Sequence, residues 1–252
     1  MSRPLVLLHP LGTDGGFWRP VLEHLGDETV LTPDLPGHGT APAAAGPTLA
    51  DLGRAVLADL DQAGLDRVDL VGLSIGGLVG QYLAATAPER VARLVLVDTV
   101  VTYPPEMRDM WRSRAAAVRA EGTAAFVEPT LALWFTAGFR AAGGPVVAAA
   151  AAGVVRSPAE GYARACDLLA RVDTAELLAE IRCPTLVMCG DDDAPPLVAA
   201  ARQLAGTLSD ARVAWLPGRH AAAVENPAEF AAVLRGFRAE PLPSQTSTGG
   251  AS

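Results

Sequence analysis

The sequence is short of the residues that build covalent staples, metal cages and nucleic-acid surfaces. It has three cysteines in 252 residues, Cys166, Cys183 and Cys189. With no CxxC pair and no Cys/His clustering, they exclude a disulfide framework and a zinc site of recognisable spacing. They read as small interior hydrophobes. Positive charge is scarce: Lys+Arg 20 against Asp+Glu 28 leaves a formal net charge of -8. Such a surface repels phosphate backbones and anionic bilayers, so neither nucleic acid nor a membrane is an expected partner. Long apolar runs are also missing. Leu5 to Leu8 is too short for a signal-peptide core, and the Ala-rich stretch Val146 to Val155 stops about half-way to a membrane span. A cytoplasmic location is expected. No nucleotide fingerprint, flavin motif or metal cluster is written in the chain, so no cofactor and no metal is expected.

What is present is apolar: hydrophobic residues make up 50% of the chain, enough for one large core. Leu5-Val6-Leu7-Leu8 runs into His9-Pro10-Leu11-Gly12, as a buried parallel strand runs into a turn. Phe17 to Leu25 carries Phe17, Trp18, Val21, Leu22 and Leu25 on one helical face. Val30 to Thr32 is a brief second strand, halted by Pro33 to Gly39. Thr48 with Asp51 forms a helix start, and the stripe Leu49, Leu52, Val56, Leu57 and Leu60 ends at Gly64. Val68–Leu73, Leu94–Val97, Thr185–Met188 and Arg212–Leu216 are further strands. Strands alternating with helices predict an α/β protein with a mostly parallel sheet and helices on both faces. Between Thr99 and Asp173 the strand pattern disappears, which predicts an inserted helical cap over about 99–173 within a single domain spanning 1–240. The core is then about 3–98 and 174–238. Pro241 to Ser252, poor in apolar residues, is expected to be a disordered tail.

The chemistry concentrates at Gly72-Leu73-Ser74-Ile75-Gly76, a G-x-S-x-G sequence at the end of an apolar strand and the start of a helix. That is the context in which a sharp strand-to-helix turn exposes a serine Oγ as a nucleophile. Serine is a weak nucleophile at neutral pH, so a base and an orienting acid are required. Of the four histidines, His24 lies on an amphipathic helix, and His9 and His38 sit in Gly/Pro-rich loops. His220 follows the last strand, where a loop can return a base to the serine. Gly190-Asp191-Asp192-Asp193 precedes it, giving the chain order Ser, Asp, His. Within that run the partner stays open between Asp193 and Asp192, with Asp98 at the end of another strand as a third candidate.

At these residues the chain resembles the α/β-hydrolase superfamily, and within it the 3-oxoadipate enol-lactonases. The features carrying the resemblance are His9-Pro10-Leu11-Gly12-Thr13-Asp14 with Trp18, Pro36-Gly37-His38-Gly39, and Gly72 to Gly77. In the cap they are Trp111 with Arg114, Trp134-Phe135-Thr136, and Ser157-Pro158 through Tyr162 to Cys166; near the end they are Cys183 to Val187, Gly190 to Asp193, and His220 with Val224-Glu225. The resemblance implies Ser74 as nucleophile, His220 as base and Asp193 as acid, with an oxyanion hole from the N–H groups of Leu11 and Ile75. It also implies a substrate pocket walled by Trp134 and Tyr162, with Arg114 placed to meet a substrate carboxylate.

The family opens with an antiparallel hairpin for which this chain has no residues, so the sheet is expected to lack it. A strand Val30 to Thr32 left at the edge could then pair two copies into a homodimer. The expected activity is hydrolysis of a small ester or enol-lactone through an acyl-enzyme on Ser74. A secondary-metabolite esterase, cyclase or carbon-carbon lyase with the same triad is the first alternative, and a non-catalytic binding relative the second.

Overall fold

A computed structural model of the chain describes residues 3–43 and 46–242. Six strands form one sheet: β1 Leu5–Leu8, β2 Val30–Leu31, β3 Val68–Leu73, β4 Val91–Val97, β5 Thr185–Gly190 and β6 Ala211–Leu216, in the order β2-β1-β3-β4-β5-β6. Every pairing in it is parallel, so among the described residues the expected mostly parallel sheet is wholly so. Parallel neighbours need long crossovers, and helices supply them: α1 Arg19–Leu22, α2 Leu49–Gln62, α3 Ile75–Thr86, then α4 Pro105–Glu121, α5 Val127–Trp134, α6 Ala137–Ala142, α7 Pro145–Arg156 and α8 Ala159–Leu169 between β4 and β5, and α9 Pro195–Thr207; α10 Ala222–Glu225 and α11 Pro227–Ala239 follow β6.

The strands alternate in which core they feed, as a pleated strand buried on both faces must. Val6, Leu8, Leu70, Leu94, Leu96 and Val187 pack with α2, α3 and α9. Leu5, Leu7, Val71, Val95, Val97 and Met188 point the other way, against Trp18, Phe230, Leu234 and Phe237. The helix expected over Phe17 to Leu25 is shorter and split: a 3-10 turn, Gly15–Trp18, leads into Arg19–Leu22. The next residues close in tight turns, His24 N–H to Val21 O and Leu25 N–H to Leu22 O, before Gly26 at φ 66 reverses the chain. Cys183 is half-buried, unlike buried Cys166 and Cys189, and all three are free thiols. Of the expected disordered tail, all but Pro241 and Leu242 lies outside the described residues. No described helix is long and apolar enough to cross a membrane.

Two polar clusters hold this frame. At the N-terminal end of β3, Asp69 is 2% exposed and receives Arg238 Nε at 2.8 Å and Arg93 Nη1 at 3.5 Å, while Arg238 also pairs with Glu28. This ties α11 to the sheet centre. At the other end, His9 and His38 pack with ring planes inclined at 59° and centroids 5.1 Å apart, both buried. His9 Nε2 accepts the Leu35 N–H at 2.9 Å, so its proton is on Nδ1, which donates to Pro10 O at 2.9 Å. The loops after β1 and β2 are thereby joined through a neutral imidazole. Burial holds both histidines below the usual value of 6.5, His38 down to about 3 with help from the charge His9 would carry.

Arg238→Ala leaves Asp69 buried without its closest partner and is expected to cost about 3 kcal/mol or more, read from urea midpoints; a loss under 0.5 kcal/mol would contradict the account. The folded state binds protons at both histidines less readily than the unfolded chain, so their contribution is complete above pH 6.5 and drains away as pH falls toward 3. Unfolding free energy measured between pH 7 and 4 should decline, and His38→Asn should flatten the decline; an unchanged slope in that variant would exclude His38 as a cause.

Candidate active site

The turn after β3 is built for close approach. A Cβ on Gly76 would lie 2.5 Å from Leu8 O, and one on Gly72 would lie 2.2 Å from Gly76 O. Only glycine lets α3 start this near to β1 and β3. Between them Ser74 takes φ 56, ψ -116, a region L-residues avoid. Its backbone is pinned in place: Ser74 N–H donates to Val97 O at 2.9 Å, and its carbonyl accepts Thr99 Oγ1 at 2.7 Å and the Gly77 N–H at 2.9 Å. The side chain is 6% exposed. Ile75 opens α3, so its N–H has no acceptor one turn back. The Leu11 N–H donates to no backbone acceptor among the described residues, and Gly12 at φ 79 turns the loop beneath it. Two backbone donors at a helix start and an adjoining loop can hold developing negative charge.

The acid loop and the histidine loop are zipped to one another. Asp191 N–H donates to Leu216 O at 2.9 Å, Asp192 N–H to Gly218 O at 2.9 Å, and Gly218 N–H to Asp191 Oδ1 at 3.0 Å. A side chain on Gly190 would meet Arg219 O at 2.3 Å. This register delivers Asp193 to His220: Nδ1 lies 2.9 Å from Asp193 Oδ2, and Asp193 Oδ1 accepts the Ala194 N–H at 2.7 Å. Asp192 points to solvent, its side chain 75% exposed and 3.9 Å from Arg219. Asp98 is buried behind the pair, accepting the Gly190 N–H. Of the three candidate acids, Asp193 is the one in contact with the imidazole. The bond puts the His220 proton on Nδ1 and leaves Nε2 free to act as a base. Burial pulls the His220 pKa down, but the charge and hydrogen bond of Asp193 outweigh it and raise the imidazole above 6.5.

The insertion between β4 and β5 holds this histidine loop. Ala221 N–H donates to Trp134 O at 2.9 Å and Arg219 Nη1 to Ala132 O at 2.7 Å, bracketing His220 from the end of α5. Glu225 accepts from Thr136 N–H at 3.1 Å and from its hydroxyl. The Trp134 ring, 4% exposed, meets Phe17 edge-on at 5.6 Å, so it backs the histidine loop as part of a packed aromatic row. A cavity of about 370 Å³ is walled by Phe17, Phe135, Val146, Ala150 and Val224, and none of Ser74, His220, Trp134, Tyr162 and Arg114 lines it. The insertion's own roots are tied down by Thr102 Oγ1 to Val172 O at 3.0 Å and Thr174 Oγ1 to Gln81 Oε1 at 2.6 Å.

Tyr162 is 1% exposed and lies against the loop after β1: a Cβ on Gly12 would come within 2.8 Å of its ring. Arg114 is half-buried, with its guanidinium 5.3 Å from the Trp111 ring and 5.2 Å from the Phe126 ring, and its Nη1 is 3.4 Å from the Tyr162 hydroxyl. No carboxylate pairs with it among the described residues, unlike its helix neighbours Arg112 and Arg119. Tyr103 was not anticipated. It is buried, packs edge-on to Trp111 at 5.7 Å and turns its phenol to the Ser74 hydroxyl, with its pKa raised by burial. Nothing in its Val-Thr-Tyr-Pro-Pro context marks it; only the return of the chain past Ser74 does.

Comparison with known proteins gives the family. The chain is 30% identical over 234 residues to 3-oxoadipate enol-lactonase 1 of Acinetobacter baylyi, covering 92% of this chain and 87% of that protein. It is 33% identical over 252 residues to the pimeloyl-[acyl-carrier protein] methyl ester esterase of Aromatoleum aromaticum, covering 93% and 98%. The crystal structure of the enol-lactonase from Burkholderia xenovorans LB400 superposes with a TM-score of 0.89 at 31% identity, covering 95% of this chain and 92% of that one. With a family model matching residues 5–233 as well, the chain belongs to the alpha/beta hydrolase family.

Proposed function

We propose that the protein is a serine hydrolase that opens a small ester or enol-lactone through an acyl-enzyme on Ser74. The observation that carries this reading is the 2.9 Å contact between His220 Nδ1 and Asp193 Oδ2, which frees Nε2 as a base on the side of the sheet where Ser74 is held in its strained turn. In this scheme Nε2 takes the Ser74 proton as Oγ attacks the carbonyl carbon. The oxyanion is received by the Leu11 and Ile75 N–H groups, where each donor is worth about 3 kcal/mol. The imidazolium then protonates the departing oxygen. In a lactone that oxygen stays tethered to the acyl group, so the second half-reaction, attack by water activated at Nε2, must clear a larger acyl chain.

The acidic end of the substrate is assigned to Arg114, which is not among the residues lining the 370 Å³ cavity. An unpaired guanidinium held between two aromatic rings suits a carboxylate, which favours a carboxylated lactone or ester over a neutral one. The similarity to enol-lactonases supports the same class. Trp134 and Tyr162 then act from behind, one setting the histidine loop and the other the oxyanion loop.

Fluorophosphonate should label the wild-type protein and leave Ser74→Ala unlabelled; equal labelling of both would end the proposal. Because the His220 pKa lies above 6.5, the unprotonated base is lost first on acidification, and kcat/KM should fall on the acid side with a midpoint above that value. A midpoint below it would count against the Asp193 pairing. Arg114→Met should lower kcat/KM about tenfold or more for a carboxylated lactone while sparing a neutral phenyl ester; equal losses on both would remove the anion-binding role.

A further inference from the structure

The mechanism above leaves the phenol of Tyr103 without a task, although it meets the nucleophile directly. Tyr103 lies just beyond β4, where the chain leaves the sheet for α4. It is 3% exposed, and its placement is fixed from several sides. Pro104 follows it, and a residue before proline is confined to extended backbone. Its carbonyl accepts Arg108 Nε at 2.8 Å, and Thr102 before it bridges to Asp173 at the far root of the insertion. The ring packs edge-on to Trp111 at 5.7 Å. A phenylalanine would make all of these contacts equally well. What it would lack is the hydroxyl, for which Ser74 is the one hydrogen-bond partner found among the described residues. Burying a hydroxyl is costly unless it is bonded, so packing alone does not account for a tyrosine here.

We propose that Tyr103 is a catalytic residue of the deacylation half-reaction: its phenol donates a hydrogen bond to Ser74 Oγ and eases the departure of that oxygen from the acyl-enzyme. The inference rests on the serine hydrolase reading. In deacylation a water attacks the acyl carbonyl carbon and gives a proton to His220 Nε2. The carbon–Oγ bond then breaks, its electron pair goes to Oγ, and the imidazolium returns the proton to Oγ. Tyr103 keeps its own proton throughout. An ester oxygen is a weak acceptor and a departing serine oxygen a strong one, so the bond from the phenol strengthens as Oγ leaves. Only interactions that strengthen toward the transition state speed a step. In acylation the same oxygen changes the other way, from hydroxyl to ester, and the bond brings no gain. The phenol therefore favours release of the acyl group over its capture. Burial raises the Tyr103 pKa and the Ser74 hydrogen bond offsets only part of the rise, so the group remains a donor throughout the range in which His220 works as a base.

The test separates the two half-reactions. Stopped-flow release of p-nitrophenolate from p-nitrophenyl acetate gives the acylation rate as a burst and the deacylation rate as the steady phase, and the rate of fluorophosphonate labelling reports acylation alone. Wild type and Tyr103→Phe are compared, each checked for folding by thermal unfolding. Loss of a hydrogen bond to a charge-bearing oxygen should slow deacylation about tenfold or more. The acylation and labelling rates should hold or rise, so that kcat and KM fall together, kcat/KM is kept, and the variant shows a burst approaching one p-nitrophenolate per protein chain. A tyrosine that merely packs would slow both half-reactions when trimmed. A deacylation rate within twofold of wild type, the absence of a burst in the variant, or acylation and labelling rates that fall as far as deacylation overturns the proposal. If Tyr103→Phe does not fold, Tyr103→Leu, which also lacks the hydroxyl, is read the same way. A wild-type protein that fluorophosphonate does not label removes the serine mechanism itself; a labelled wild type with any of the overturning outcomes removes only the role of Tyr103.

Discussion

The strained turn at Ser74 is the constraint around which the rest is arranged. A non-glycine residue at φ 56, ψ -116 is held against a cost of about 1–3 kcal/mol. The surroundings over-determine it: Val97 and Thr99 from the neighbouring strand and its loop fix the Ser74 amide and carbonyl, while Gly72 and Gly76 remove the side chains that would push α3 away. Each of these depends on β4 lying beside β3 in register, with Gly72 opposite Leu96 and Leu73 opposite Val97. The two apolar faces of the sheet therefore serve the site, because burying them locks that register.

The charges follow the same geometry. Parallel strands end together at one edge, and helix starts and loops there collect polar groups that the strand interiors cannot hold. Asp193, His220 and Asp98 are gathered at that edge by three different connections, after β5, β6 and β4. Their electrostatics are linked: the Asp193 charge and hydrogen bond raise the His220 imidazole, and burial with the Asp193 charge pushes the Asp98 carboxyl up. At the opposite edge of the sheet the charges are structural, with Arg238, Arg93 and Asp69 fastening the last helix. The insertion touches both sides of the site, since its carbonyls at Ala132 and Trp134 hold the histidine loop while Tyr162 backs the loop after β1.

Much of this was legible from local pattern. The alternation of apolar strands and amphipathic helices, the Thr48–Asp51 helix start and the Gly-Leu-Ser-Ile-Gly turn are short-range features, and short-range sterics and burial decide them. The Ser, Asp, His order was legible too. The choice among Asp193, Asp192 and Asp98 was not, because all three are acids in turns at strand ends and only the pairing of two loops separates them. The apolar spacing over Phe17 to Leu25 is that of a helix, yet tight turns and Gly26 cut the helix short at Leu22.

The sequence alone determined which residues could bury, where the chain had to turn and which side chain could be a nucleophile, since those follow from steric and hydrophobic terms within a few residues. Tertiary structure alone decided which aspartate meets His220, that His9 and His38 are a buried neutral pair, that Arg114 lies against two rings with no acid paired to it among the described residues, and that Tyr103 lies beside Ser74. Those outcomes are contacts between segments far apart in the chain, and their energies depend on distance and burial, which no local pattern encodes.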